Sequence, residues 1–208
     1  MKKAKFLVIE GLDGSGKSTQ VGRIGEWFSA NNMPSLITRQ PSDSEIGKLA
    51  RAATQAAFPI ETEALSLLFA AEHVNHYHEK IAPALKRGEH VVCDRYYYSN
   101  LVYQGENAEM FSRILAYNHE VSREARRPDA VIYLDVTPEE SMRRITARRS
   151  EISIFDKLDK LKALRERYLA TFERLKSTEN IIIVETDNQE PDDVFEKIMN
   201  KIRPLCLR

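Results

Sequence analysis

The sequence predicts an α/β fold, a doubly wound parallel sheet of five strands that helices cover to give three layers. Near-continuous apolar runs are typical of strands buried on both faces, and stretches with helical periodicity separate these runs. The first apolar run ends in a glycine-rich turn that leads directly into a helical pattern. Because the 208 residues alternate in this way without a repeat or a linker, residues 1–208 are predicted to form a single domain.

The first strand is predicted at residues 6–10 and the first helix at residues 18–31, where apolar residues recur at helical spacing. Between them lies the sequence GLDGSGKS, which is a P-loop. Its glycines let backbone N–H groups face inward without a Cβ clash, and the helix amino terminus adds positive dipole. The loop is therefore predicted to bind the polyphosphate of a nucleotide. The residues assigned to it are Gly11, Leu12, Asp13, Gly14, Ser15, Gly16, Lys17, Ser18 and Thr19.

The second strand is predicted at residues 35–39, and a helix follows at residues 43–57. A longer helical pattern covers residues 61–86, where Pro83 is expected to bend or restart the last turns. Further apolar runs predict strands at residues 90–94, 130–136 and 180–185, and helical patterns cover residues 108–126, 138–149, 157–176 and 191–203. Ligands of such sheets bind at the edge formed by the carboxyl ends of the strands.

Composition excludes several classes of protein. The chain has 31 basic and 31 acidic residues and a formal net charge of zero, so no overall field favours nucleic acid or an anionic membrane. No apolar run approaches the ~20 residues of a membrane span, and the first strand begins too early to leave room for a signal peptide. Cys93 and Cys206 are too few for a disulfide framework. We therefore expect a cytoplasmic protein without nucleic-acid or membrane partners.

Three charged residues follow predicted strands and indicate the chemistry. Asp94 ends an apolar run, and in P-loop proteins such an acid holds Mg²⁺, usually through water; the alternative is an Asp that caps the next helix. The Ser18 hydroxyl is the second expected Mg²⁺ ligand. Arg39 and Arg95 are candidates for a second phosphate, because a guanidinium binds two oxygens at once. Two arginines facing one P-loop predict two phosphate-bearing ligands.

Several segments together resemble the thymidylate kinase family. They are residues 11–19, TRQP at 38–41, LFAA at 68–71, DRY at 94–96 with Ser99, YQG at 103–105, YLDV at 133–136 with Pro138 and Glu139, and RERYL at 165–169. The combination of DRY and YQG is the specific part, and the likeness spans nearly the whole chain. The resemblance implies a P-loop kinase domain that transfers the γ-phosphoryl group of ATP to dTMP with Mg²⁺, giving dTDP and ADP. It also implies a lid segment at about residues 146–158.

The resemblance assigns roles to individual residues. Those it implies for catalysis are Lys17, Asp94, Arg95 and the lid residues Arg148 and Arg149. Those it implies for dTMP binding are Asp13, Arg39, Phe69, His73, Arg95, Ser99, Asn100, Tyr103 and Gln104. Phe69 would stack on the base, although a helical Phe is otherwise expected in the core. Family precedent and the apolar faces of the helices at residues 65–77 and 108–126 favour a homodimer.

The chain departs from the family pattern at three places. His73 stands where the family commonly has an Arg that meets the base carbonyl, and Gln40 replaces the Glu of the second-strand motif. Gly14 stands where one branch carries a catalytic Arg, so the lid is expected to supply that charge. A His73 that faced the base would gain a second donor below about pH 6.5 and bind dTMP more tightly there.

Two other functions fit the P-loop. A deoxynucleoside kinase has a similar loop and a strand-terminal acid, but Arg39 argues against it because a nucleoside carries no phosphate to bind. A nucleotide-sensing regulator without kinase turnover is the second alternative. The sequence has no Asn-Lys-x-Asp guanine signature, so a GTPase switch is not expected.

Overall fold

The computed structural model describes residues 3–121, 126–147 and 154–207. Within these residues five parallel strands form one sheet in the order β2-β3-β1-β4-β5. The strands are β1 (Phe6–Gly11), β2 (Ser35–Arg39), β3 (His90–Asp94), β4 (Ala130–Asp135) and β5 (Ile181–Glu185). The predicted fold class is confirmed.

The described helices connect the strands and cover both faces of the sheet. They are α1 (Lys17–Ala30), α2 (Glu45–Thr54), α3 (Thr62–His76), α4 (Ala82–Lys86), α5 (Tyr97–Gln104), α6 (Ala108–Val121), α7 (Pro138–Thr146), α8 (Ile154–Leu175) and α9 (Pro191–Cys206). No helix in the described ranges is long and apolar enough to cross a membrane.

Alternate residues of each central strand enter two separate cores, because successive side chains of a strand point to opposite faces. Phe6 and Val8 of β1 belong to the core that α5 and α8 cover, with Tyr98 and Tyr168. Leu7 and Ile9 belong to the core that α1 and α9 cover. Because helices cover both faces of the sheet, the strands have near-continuous apolar sequences.

The helices differ from the sequence prediction in two places. The long helix predicted at residues 61–86 is divided into α3, a π-helical turn at Tyr77–Ile81 and α4, with Pro83 in the first turn of α4. Proline is tolerated there because the first-turn N–H groups have no partner within the helix, so the expected restart at Pro83 is confirmed. Helix α5 was not predicted, since its sequence YYSNLVYQ carries aromatic residues that favour strands.

The parallel register brings the predicted site residues to one edge of the sheet. Asp94 of β3 pairs with Ile9 of β1 on one side and with Arg39 of β2 on the other. The P-loop follows β1, and the described chain turns into α5 just after β3. The P-loop, Arg39, Asp94 and Arg95 therefore lie together at the carboxyl edge.

Candidate active site

Two adjoining cavities open at this edge. The smaller has a volume of about 300 Å³, and its lining includes the P-loop residues Gly14, Gly16, Lys17, Ser18 and Thr19. The larger is a cleft of about 870 Å³ between α3, α5 and α8. Asp13, Gln40, Pro41 and Arg95 line both cavities. The two spaces therefore meet at these residues, as a site for two phosphate-bearing ligands requires.

The P-loop adopts the backbone conformation that its glycines predict. Gly14 has a φ of 80° and Gly16 has a φ of 95°, both in the left-handed region. A Cβ on Gly14 would lie 2.8 Å from the backbone oxygen of Ser141 in α7, so the position has no room for a side chain. Leu12 and Ser15 are buried and line neither cavity, so they contribute to the loop through its backbone and packing.

Lys17 lies at the start of α1 and is only 8% exposed. Its ammonium group donates to the backbone oxygens of Gly11 at 3.1 Å and Leu12 at 2.7 Å. The pKa of Lys17 is lowered to about 8, mainly by burial and secondly by the nearby charge of Arg95. The loop thus holds a buried cation beside the smaller cavity, where phosphate oxygens would compensate its charge.

Ser18 and Asp94 form the candidate metal site. The Ser18 hydroxyl donates to Asp94 Oδ2 over 3.0 Å. The other carboxylate oxygen, Asp94 Oδ1, is buried and has no hydrogen-bond partner among the described residues. Mg²⁺ prefers hard oxygen ligands and keeps several waters, and an unpaired carboxylate oxygen beside a hydroxyl fits that preference. These residues therefore fit the ion that the sequence predicted.

Arg95 lies at the junction of the cavities and is held on both edges of its guanidinium. Its Nη1 donates to Ser99 Oγ and to Tyr168 Oη, each over 3.1 Å. Its Nη2 donates to Asp13 Oδ1 over 2.6 Å. The Tyr103 ring lies beneath it, with Cζ 5.5 Å from the ring centroid, close enough for a cation–π interaction. Arg95 is therefore fixed in place by contacts on three sides.

Two further arginines, Arg39 and Arg51, line the smaller cavity on the β2 side. Arg39 Nη2 donates to Asp43 Oδ1 over 2.9 Å, and Arg51 Nη2 donates to the same oxygen over 3.0 Å. These two guanidinium groups lower the pKa of Asp43, with Arg39 the larger influence. Sequence reasoning named Arg39 and missed Arg51, which lies in the last turn of α2 and belongs to no motif. Its position depends on how α2 packs against the loop that follows β2.

The larger cleft contains most of the residues that the resemblance assigned to dTMP. Those that line it are Asp13, Phe69, Arg95, Ser99, Asn100, Tyr103 and Gln104. Asn100 Nδ2 donates to the Ser66 backbone oxygen over 3.0 Å. The amide oxygens of Asn100 and Gln104 are buried and have no hydrogen-bond partner among the described residues. Two unpaired acceptors beside Phe69 suit a planar base with a ring N–H.

Helix α8 closes the opposite side of this cleft. Its residues Lys160, Ala163, Leu164 and Arg167 line the cleft, and the sequence analysis did not identify them. Arg165 points the other way and binds Asp135 through two hydrogen bonds of 2.7 and 2.8 Å, which attaches α8 to the carboxyl end of β4. Arg167 belongs to the RERYL segment, but which of its side chains faces the cleft depends on how α8 packs.

The structure corrects both expectations for His73. The ring is 2% exposed and is not among the residues that line the cleft. It packs edge-on against Tyr96, with ring centroids 4.3 Å apart, and its Nδ1 lies 3.5 Å from Gln40 Nε2. Burial, and after it the nearby His76, lowers the pKa of His73 to about 3. His73 therefore stays neutral near pH 6.5 and lies behind the wall of the cleft.

Gln40 joins His73 to a second buried histidine. Gln40 Nε2 lies 3.1 Å from Nδ1 of His76, whose Nε2 lies 2.7 Å from the Thr38 hydroxyl. An amide nitrogen can only donate, so Nδ1 of His76 accepts and Nε2 carries the proton that reaches Thr38. Burial, and after it Lys80, lowers the pKa of His76 to about 4. Two of the three departures from the family pattern, Gln40 and His73, thus belong to one neutral cluster.

The predicted lid arginines, Arg148 and Arg149, lie outside the described residues. Arg144, in the last turn of α7, donates to the Thr186 backbone oxygen at 2.6 Å and to the Gly14 backbone oxygen at 3.4 Å. Its Nε also donates to Glu140 over 2.7 Å. Arg144 therefore connects α7 to the P-loop.

Comparisons with known proteins agree with this geometry. A family model described as Thymidylate kinase matches residues 9–198. A probable thymidylate kinase of Thermococcus onnurineus is 41% identical, with 81% of this chain and 84% of the relative covered. Proteins of the same printed name from Pyrococcus abyssi and Methanococcus maripaludis are each 36% identical, with 96% and 95% of this chain and 98% and 94% of the relatives covered.

Proposed function

Since the chain belongs to the thymidylate kinase family, we propose that it transfers the γ-phosphoryl group of ATP to the 5′-phosphate of dTMP. The observation that carries this proposal is the meeting of the two cavities at Asp13 and Arg95. ATP would place its phosphates in the P-loop cavity, and dTMP would place its base in the cleft. The two phosphates would then face each other where the cavities join.

In the reaction, an oxygen of the dTMP phosphate forms a bond to the γ-phosphorus, and the bond from that phosphorus to the β–γ bridging oxygen breaks. The products are dTDP and ADP. Phosphoryl transfer needs little covalent chemistry from a protein, so positioning and charge neutralisation account for most of the rate. Lys17 would bind the β- and γ-phosphate oxygens, and Arg95 would hold the acceptor phosphate in line.

Ser18 and Asp94 would hold Mg²⁺, partly through water, and the bound ion would neutralise charge on the phosphate oxygens. The unpaired Asp94 Oδ1 supports this assignment. Arg39 and Arg51 both line the P-loop cavity, so they would add positive charge near the acceptor phosphate.

At the base end, Phe69 would stack on thymine while Asn100 and Gln104 would bind its edge. Their unpaired oxygens support this role, since thymine N3–H is a donor. Tyr103 lines the cleft beside Arg95, and there it would crowd a 2′-hydroxyl and so favour deoxyribose. Asp13 would accept a hydrogen bond from the 3′-hydroxyl.

We place this reaction in the cytoplasm and in a single domain whose lid covers about residues 146–158, with Arg148 and Arg149 closing on the transferred group. Cys93 and Cys206 are both buried free thiols, which suits a reducing compartment. We also propose a homodimer through α3, in which the partner would cover Leu67, a residue that is 45% exposed. Sedimentation would test the dimer, with a dimeric wild type and a monomeric Leu67→Glu variant as the expected result. A monomeric wild type would contradict it.

The function is tested by a coupled assay of ADP release with dTMP, dUMP, UMP, dCMP, dGMP, AMP and thymidine as acceptors. We expect the highest kcat/KM with dTMP and little ADP release without an acceptor. Turnover of thymidine but not dTMP would indicate a deoxynucleoside kinase. ATP binding without turnover on any acceptor would indicate a regulator. Neither alternative is favoured by the family that the chain matches.

A further inference from the structure

Glu10 is a fully buried carboxylate at the carboxyl end of β1, the central strand of the sheet. Three donors converge on it. The Tyr96 backbone N–H reaches Oε1 over 2.8 Å, and the hydroxyls of Ser99 and Tyr168 reach Oε2 over 2.8 and 2.9 Å. A buried carboxylate is costly unless hydrogen bonds and a nearby cation compensate it, so a residue of this kind needs an explanation.

The two hydroxyls also contact Arg95, and the chemistry of the guanidinium fixes the direction of these two bonds. A guanidinium has donors only, so Arg95 Nη1 donates to both Ser99 Oγ and Tyr168 Oη at 3.1 Å. Each hydroxyl keeps one proton to donate, and Glu10 Oε2 is its nearest acceptor, at 2.8 Å from Ser99 and 2.9 Å from Tyr168, while the two hydroxyls lie 3.1 Å apart. The inner edge of the Arg95 guanidinium is thus connected to the carboxylate through two parallel hydroxyl bridges.

Glu10 also holds the backbone next to Arg95. Arg95 has a φ of 67°, a left-handed conformation that non-glycine residues rarely adopt. Its N–H donates to the Ile9 backbone oxygen over 2.9 Å, and the next N–H, that of Tyr96, donates to Glu10. Two consecutive residues of β1 therefore fix the peptide groups on both sides of Arg95.

We propose that Glu10 is a positioning residue that aims Arg95 at the acceptor phosphate, which rests on the function proposed above. Glu10 has no exposed surface and cannot touch a substrate, so it acts only through Arg95. The guanidinium edge that faces Asp13, at the junction of the cavities, is the edge left to the phosphate. Replacing the Glu10 carboxylate releases the opposite edge of the guanidinium, and Arg95 then samples other directions.

The test uses Glu10→Gln and Tyr168→Phe, with affinities for dTMP and ATP measured separately by calorimetry. Gln keeps one oxygen for the Tyr96 N–H but cannot accept from both hydroxyls, and Phe removes one bridge. We expect the dTMP Kd and KM to rise at least tenfold in Glu10→Gln and about threefold in Tyr168→Phe. The ATP Kd should stay within twofold of wild type in both.

Asp129→Asn is the matched control. Asp129 accepts the Phe6 backbone N–H over 2.7 Å and pairs with Arg126 over 2.6 Å at the opposite edge of the sheet. Its loss should lower the melting temperature without changing either Kd. Equal loss of dTMP and ATP affinity in Glu10→Gln would mean a general structural role and would overturn the proposal.

A double-mutant cycle with Arg95→Ala then identifies the route of the effect. If Glu10 acts through Arg95, Glu10→Gln should change the dTMP Kd less than twofold in the Arg95→Ala background. Wild-type affinity in Glu10→Gln, or the same tenfold loss in both backgrounds, would overturn the proposal. Failure of the proposed function looks different, because wild type itself would then not phosphorylate dTMP. The cycle is in that case measured with the monophosphate that the acceptor assay identifies, under the same criteria.

Discussion

Two polar clusters lie on either side of Tyr96 and handle charge in opposite ways. Their side chains are buried or half-buried, except that of Asp13, which is 71% exposed. The ionic cluster consists of Glu10, Asp13, Lys17, Asp94 and Arg95 with the hydroxyls of Ser99 and Tyr168. The imidazole cluster consists of Thr38, Gln40, His73 and His76. The Tyr96 N–H donates to Glu10 of the first cluster, and the Tyr96 ring packs on His73 of the second.

The difference follows from what each cluster supports. The ionic cluster adjoins the place proposed for two polyanions, so its cations gain partners when phosphate binds. Gln40 lines both cavities, but the two histidines of the imidazole cluster are buried and line neither, so a charge on them would face a large desolvation cost. The hydrogen-bonded groups of the imidazole cluster stay neutral and so avoid that cost. The comparison shows that burial alone does not decide the charge of a cluster, since both clusters contain titratable groups with almost no exposed surface.

The largest expected effect comes from removing a cation of the ionic cluster. Lys17→Ala and Arg95→Ala should each lower kcat/KM by about 10²–10³-fold, the range found when one electrostatic donor of an active site is lost. Circular dichroism should show an intact fold, and Lys197→Ala on the exposed face of α9 serves as the matched control. Retention of more than about a tenth of wild-type kcat/KM would show that the charge is not needed there.

The converse experiment places a charge in the imidazole cluster. His73→Arg should lower the free energy of unfolding by about 2–4 kcal/mol, because a guanidinium would be buried beside two neutral groups. It should not improve dTMP binding, since the position lies behind the cleft wall. Chemical denaturation and dTMP KM are the measurements. A stable variant with a lower dTMP KM would show that the side chain at position 73 contacts the base.

The lid arginines would extend the ionic cluster over the transferred group. The double variant Arg148→Ala/Arg149→Ala should lower kcat by ~30-fold with little change in dTMP KM, because charges that act only in the transition state affect turnover. Steady-state kinetics measure both constants. A wild-type kcat would show that another residue supplies the catalytic charge. Arg144, which contacts the P-loop, would be the first candidate.

The smallest effect concerns stability against pH in the imidazole cluster. The folded-state pKa values of His73 and His76 are about 3 and about 4, below the usual 6.5 that the unfolded chain would show. The unfolded chain therefore takes up protons first, so stability is lost as pH falls below about 6.5 and down towards these values. Between pH 7.5 and pH 5.5, the free energy of unfolding of wild type should fall by on the order of 1 kcal/mol more than that of His76→Gln.

Denaturation at pH 7.5 and pH 5.5 measures that loss for wild type and His76→Gln. Burial also lowers the pKa of His90, so the variant is compared with wild type at each pH and the contribution of His90 cancels. Equal losses in the two proteins would show that His76 is not held neutral in the fold.

The fold was predictable because its signals are local. The apolar runs of β1 and β4 and the glycines of the P-loop each depend on a few neighbouring residues. Helix α5 was not, because its aromatic residues favour strands and only the packing of Tyr98 and its neighbours selects the helix.

The site was predictable where a motif carried it and not where packing decided it. Arg95 and Asp94 follow a strand, and that placement alone brings them to the carboxyl edge. Arg51 and Arg167 depend on how α2 and α8 dock, which no local pattern encodes. Glu10 looked like the end of an apolar strand. His73 was placed by its motif position, but the side chain turns towards Gln40 and Tyr96.

The contact between Asp13 and Arg95 has a consequence for which ions the protein tolerates. The Asp13 carboxylate already lies 2.6 Å from the Arg95 guanidinium. A monovalent anion such as chloride offers no more charge than this carboxylate and would have to displace it from close range. A phosphate dianion offers twice the charge and more acceptor oxygens. The Asp13–Arg95 ion pair should thus favour the binding of phosphate esters over the binding of the monovalent anions that are abundant in cells.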